Sequence, residues 1–196
     1  HLDSPMLTHM SAAQASMRNA QIIDSFLRLT DYAAANGVRA VIIAGDLFDG
    51  ERVRGRTVDE ILAAMERTPG VDYLYLPGNH DGAARAFSDR SLPENLRQFG
   101  SEWTTFQYED AAISGVRLCR ENGETIYEAV PHVEGCVNIA VLHGQIGTVS
   151  GEDAVNLNLL KNKGIDYLAL GHIHSYALER LDHRGVYCYC GCLEGR

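Results

Sequence analysis

"VDYLYLPGNHDG", residues 71–82, runs six residues of mainly apolar, strand-forming character into a glycine. It then delivers an amide, an imidazole and a carboxylate in a row at Asn79, His80 and Asp81. A lone stretch of this kind reads as a strand followed by a turn, because Gly and Asn are common turn residues. It acquires meaning only if other strands of the chain end in the same way.

They do. "RAVIIAGDLFDG" (39–50) brings Asp46 and Asp49 behind a β-branched run, "VNIAVLHG" (137–144) brings His143, and "IDYLALGHIH" (165–174) brings His172 and His174. Ligands in α/β sheets bind beyond the carboxyl ends of the strands, and glycine beside each polar residue permits a sharp, close-packed turn. Carboxylate, amide oxygen and imidazole are hard-to-borderline donors, suited to Mn²⁺, Fe²⁺ or Zn²⁺. So many such groups on four strand ends exceed what turn capping requires, and they include too few cations for a simple anion pocket. The pattern points to a binuclear metal centre.

Between these strands the sequence reads as helix. Ile22, Ile23, Phe26, Leu27 and Leu29 recur at helical spacing over 11–36, with Gly37 as the stop. Thr57 and Glu60 have capping-box spacing ahead of "ILAAMERT", and Ser91 and Glu94 have it in "SLPENLRQF", where a short helix is expected. Residues 103–130 read as strands with a hairpin turn at Asn122–Gly123, residues 152–164 as a helix ended by Gly164, and "YALERL" and "VYCYC" as a hairpin around "DHRG". The pattern is that of one α/β domain without linker or repeat.

Composition narrows the function classes. With 17 basic and 26 acidic residues the formal charge is −9, which opposes nonspecific attraction to nucleic acid or anionic lipid. A phosphate substrate stays compatible, because bound divalent ions would invert the local field. No apolar stretch approaches the roughly 20 residues of a membrane span. The five cysteines form neither a CxxC pair nor a disulfide framework. Cys188, Cys190 and Cys192 alternate, which predicts one face of a strand, and a reducing cytoplasm is the expected compartment. His9, His132, His183, Asp166 and Asp182 sit in loop or hairpin contexts and read as surface or turn residues.

In order, "GDLFD", "GNHD", "LHG" and "GHIH" resemble the motif series of the calcineurin-like metallophosphoesterases, over nearly the whole chain. "HLDSP", "IAGDLFD" and "GCLEGR" are most similar to the branch of bacterial DNA repair exonucleases related to double-strand-break repair nucleases. The resemblance implies two facing mixed β-sheets flanked by helices, a four-layer sandwich with a two-metal site at one edge, Mn²⁺ being the expected ion and Fe or Zn the alternatives. It implies that Asp46 bridges both ions, that Asn79, His143 and His172 complete one site, and that His1 and His174 serve the other. His80 stands off the metals and acts on the leaving group with Asp49 as its partner, while Asp81 braces the loop.

The family's first motif is Asp-x-His behind a strand, and here only His1 matches, so a first strand and its Asp are expected to precede this chain, and a capping domain to follow it. Arg52, Arg54 and Arg56 are candidate contacts to a nucleic-acid backbone, or a solvated loop. The implied activity is hydrolysis of phosphodiesters by a DNA exonuclease or repair nuclease, with an ATPase subunit as a candidate partner and no membrane. The alternatives are a phosphatase or phosphodiesterase of small phosphoesters, and a noncatalytic partner-binding scaffold, against which the His80–Asp49 dyad speaks.

Overall fold

A computed structural model describes residues 2, 11–48, 53–78, 87, 89–123, 125–147 and 153–193. The fold is mixed α/β, with several sheets and helices. Its contacts divide the chain into two compact units, one of His1–Tyr75 with Asn79–Arg97, the other of Leu76–Gly78 with Gln98–Arg196.

In the first unit, α1 (Ala12–Ala35), β1 (Ala40–Ala44), α2 (Gly55–Glu66), β2 (Asp72–Leu76) and β3 (Leu96–Gln98) follow one another, and the strands form a sheet in the order β1-β2-β3. The start of α1 is fixed by a capping box that the sequence reading passed over: Gln14 N donates to Ser11 Oγ at 3.3 Å and Ser11 N donates to Gln14 Oε1 at 2.9 Å. Gly37 takes φ +66 just past the C-cap Asn36, as its place at the helix stop requires. Tyr73, Leu74, Tyr75 and Leu76 are all fully buried, which is why β2 reads as a continuous apolar run rather than an alternating one. Phe26, Phe48, Ile61, Met65, Tyr73 and Tyr75 belong to one core.

Two capping expectations fail here. Helix α2 begins at Gly55 with Arg54 as N-cap and no side-chain cap, so Thr57 lies buried inside the helix instead of at its head. Residues 91–99 contain a strand, β3, not a helix. Tyr73 N donates to Asn95 O at 2.7 Å, and the Asn95 amide donates to the carbonyls of Met65, Thr68 and Val71. Those long-range bonds outweigh the local capping pattern, as tertiary context commonly does.

The second unit is built on a six-stranded sheet ordered β10-β11-β9-β6-β5-β4, from β4 (Thr104–Gln107), β5 (Ala111–Gly115), β6 (Val137–His143), β9 (Tyr167–Gly171), β10 (Ala177–Arg180) and β11 (Val186–Tyr189). The inner strands β5, β6, β9 and β11 pair in parallel, and β4 and β10 add antiparallel edges. A separate parallel pair joins β7 (Gln145–Ile146) to β8 (Ala154–Val155). Leu142, Leu168 and Leu170 are buried in this unit's core, each worth roughly 1.5–3 kcal/mol of transfer free energy.

The expected helix at 152–164 shrinks to α3 (Leu157–Leu160), capped by Asn156, because Ala154–Val155 is drawn into the β7 pairing. Asn122 does not head a hairpin; its side chain accepts from Cys119 N and donates to Ser101 O and Arg117 O, pinning an irregular loop. The β10–β11 hairpin forms as read, with Asp182 accepting from Arg184 N and Gly185 N at its turn. Only Cys188 of the alternating cysteines is a buried strand residue, since β11 stops at Tyr189. At the opposite end of β9 from His172, Arg184 grips Asp166 through two bonds of 2.6 and 2.9 Å, and Asp166 also accepts from Asn138 N at 2.8 Å.

Candidate metal centre

Strand β1 ends in two consecutive residues with left-handed backbone, Gly45 at φ +89 and Asp46 at φ +55. Glycine adopts that region freely, and aspartate is among the few other residues that enter it. The double turn takes the chain off the strand end, and Asp46 is left 7% exposed. A buried carboxylate needs compensation by hydrogen bonds, a cation or both. Leu2 runs alongside, with its N–H donating to Leu47 O at 2.7 Å and a parallel bridge to Phe48.

In the second unit, parallel register sets His143 opposite Gly171 at the carboxyl ends of β6 and β9. His172 is therefore the first residue past the β9 end, and its ring meets that of His143 edge to face, with centroids 5.4 Å apart at 89°. His143 is 4% exposed. His172 holds a left-handed backbone, φ +90, a conformation uncommon for a residue with a side chain. Its Nδ1 is buried without a hydrogen-bond partner among the described residues. A strained backbone and an unsatisfied buried nitrogen on the same residue are a cost to the fold, of the sort that concentrates at functional sites.

His174 is exposed, two residues further along. Gly191, at φ +74, packs against its carbonyl, and a Cβ there would come within 3.2 Å of His174 O and of Tyr176 N. Arg54 and Arg56 are exposed at the start of α2. His1, Asp49, Arg52, Asn79, His80 and Asp81 lie outside the described residues, as does His9. His183 is exposed and pairs with Asn162, and His132 is exposed too, its ring packed beside Gly164.

A family model described as calcineurin-like phosphoesterase matches residues 8–176. The chain belongs to this family.

As a calcineurin-like phosphoesterase it has curated relatives at low identity. It is 27% identical over 95% of its length to the uncharacterized metallophosphoesterase YhaO of Bacillus subtilis, of which it covers 49%. It is 26% identical over 95% of its length to the DNA double-strand break repair protein Mre11 of Methanopyrus kandleri, covering 47% of that protein. The Mre11 protein of Saccharolobus solfataricus is 27% identical over 86% of the chain. The chain thus spans about half the length of the curated relatives it matches. A solved structure, a putative 5'-nucleotidase from Staphylococcus aureus, shares the fold with a TM-score of 0.58 at 14% identity, over 86% of this chain and 43% of that one.

Members of this metallophosphoesterase family use divalent metals. Among the described residues, Asp46 of the first unit offers a buried carboxylate, and His143 and His172 of the second offer two neighbouring imidazoles. That donor set suits Mn, Fe or Zn and includes no thiolate. The unpartnered Nδ1 of His172 is an observation that a coordinated cation would account for. No described helix is long and apolar enough to cross a membrane.

The sequence reading missed Tyr189. It attended to the alternating cysteines of "YCYCGC", while the tyrosine between them is buried and reaches the backbone just past His143. The signal was available in the alternation, which assigns Tyr187 and Tyr189 to the face opposite Cys188.

Proposed function

We propose that this phosphoesterase hydrolyses phosphodiester bonds in DNA with a pair of divalent ions, Mn²⁺ above all, and that residues 1–196 act as one metallophosphoesterase domain. The observation that carries the metal reading is His172, whose buried Nδ1 lacks a partner among the described residues and whose backbone is held at φ +90. Support for DNA comes from the several Mre11 relatives, each named a DNA double-strand break repair protein.

In this reading Asp46 would serve both ions, Asn79, His143 and His172 would hold one of them, and His1 and His174 the other. Ions bound there would act as Lewis acids on the phosphate oxygens and supply the nucleophile at neutral pH. His80 would protonate or stabilise the departing alkoxide, help typically worth about 10²–10⁴-fold, with Asp49 as the partner that orients its ring. Arg52, Arg54 and Arg56 are proposed as contacts to the nucleic-acid backbone. The formal charge of −9 makes binding by this chain alone weak and strongly salt-dependent, so an ATPase subunit is proposed to contribute affinity. The five free cysteines suit a reducing cytoplasm.

The test is a labelled oligonucleotide, single- and double-stranded, incubated with the chain and Mn²⁺ at low salt. Slow cleavage that EDTA abolishes is the expected result. Rapid hydrolysis of mononucleotides or simple monoesters with the oligonucleotide left intact would overturn the DNA assignment.

A further inference from the structure

The backbone immediately after His143 is held by a buried phenol. Strands β7 and β8 pair through Gln145 N to Asp153 O at 2.7 Å and Gly147 N to Val155 O at 3.2 Å. So small a sheet leaves backbone groups on both outer edges needing partners. Tyr189 occupies one edge: its hydroxyl donates to Gly144 O at 2.8 Å and accepts from Ile146 N at 3.0 Å. Tyr127 occupies the other, donating to Ala154 O at 3.4 Å and accepting from Asn156 N at 3.1 Å. Each phenol stands where a neighbouring strand would place a carbonyl and an N–H.

The two tyrosines do the same chemistry at different distances from the candidate ligand. The ladder between β6 and β9 gives out at His143, since the next bond, Gly144 N to Gly171 O, has stretched to 3.5 Å, the outer limit of a useful hydrogen bond. From there Tyr189 takes over, gripping the residue directly bonded to His143. Gly144 is also confined from its other side, because a Cβ there would collide with the Asp153 carbonyl. Tyr127 grips only the far strand, β8.

We propose that Tyr189 is the positioning residue for His143, fixing through Gly144 and Ile146 the backbone from which that imidazole would reach a metal ion. The proposal rests on reading His143 as a metal ligand. Groups that orient a ligand from behind typically change metal affinity by about 10–100-fold when removed. Tyr189→Phe deletes only the hydroxyl and keeps the buried ring.

Tyr189→Phe, Tyr127→Phe and His143→Ala are compared with the unmodified chain by Mn²⁺ titration followed by electron paramagnetic resonance. Thermal unfolding in EDTA and the Mn²⁺ dependence of diester hydrolysis are measured alongside. Manganese is the probe because the chain's thiols compete poorly for so hard an ion. Tyr189→Phe should weaken Mn²⁺ binding about tenfold and raise the Mn²⁺ concentration for half-maximal rate equally, with the rate recovering at saturating metal. Tyr127→Phe should lower the thermal midpoint comparably and leave Mn²⁺ affinity at the unmodified level. Unchanged affinity in Tyr189→Phe, or an equal loss in Tyr127→Phe, would reduce Tyr189 to a structural contact. Unchanged affinity in His143→Ala would overturn the assignment of the centre, and the positioning role with it.

Discussion

His143 and His172 end neighbouring parallel strands in register, and their rings stand edge to face with centroids 5.4 Å apart. The register itself produces the juxtaposition: once His143 is aligned with Gly171, the next residue along β9 has no choice of neighbour. His172 then occupies a backbone position, φ +90, that glycine would fill with less strain.

That strain predicts a trade between stability and binding. His172→Gly removes both the left-handed side-chain residue and the unpartnered Nδ1, so the metal-free chain should gain about 1 kcal/mol of stability. Divalent-metal affinity should fall in the same variant. Chemical denaturation in EDTA, paired with Mn²⁺ titration, measures the two effects. A less stable chain with intact affinity would show that His172 serves the fold.

The proposed mechanism puts His80 at the leaving group and not on the metals. His80→Ala should retain the bound metal while diester turnover drops by about 10²–10⁴-fold. Metal analysis and steady-state kinetics on one preparation separate the possibilities. Loss of metal with the residual rate preserved would make His80 a ligand.

Asp166 supports the same sheet from the far end of β9. The hydrogen bonds from the Arg184 guanidinium hold its carboxyl below the usual carboxylate range, helped by Asn138 N and opposed by partial burial. A carboxyl depressed on folding stabilises the protein above its unfolded pKa of about 3.9 and loses that contribution as pH falls through the lower folded value. Asp166→Asn should therefore be less stable than the unmodified chain at neutral pH, and the gap should close below about pH 4. Thermal midpoints across pH 2–7 record it; a gap constant with pH would remove the charge from the explanation.

The strand ends were legible because each combines a buried apolar run with glycine and a ligand-type side chain; β1, β2, β6 and β9 all carry that signature. Helix α1 was legible from its spacing. What local pattern could not convey was competition from distant partners. Ser91 and Glu94 have capping spacing, yet Asn95 is recruited by three carbonyls and the segment becomes β3. Residues 152–164 look helical, yet Asp153 and Val155 are claimed by β7. Residue type made Asp46, His143 and His172 candidate ligands, but nothing in their identity announced that Asp46 and His172 sit at positive φ. Tyr189 was hidden for a related reason, since a phenol acting on backbone leaves no motif.

The central claim is that Asp46 carries the metal centre of this phosphoesterase. Its most direct test is metal content by plasma mass spectrometry, after Mn²⁺ loading and desalting, of the unmodified chain and of Asp46→Asn. The account predicts that Asp46→Asn, which keeps the shape of the side chain and removes its charge, loses both ions, with affinity down by more than about tenfold. Two tightly bound ions per chain in Asp46→Asn would contradict it.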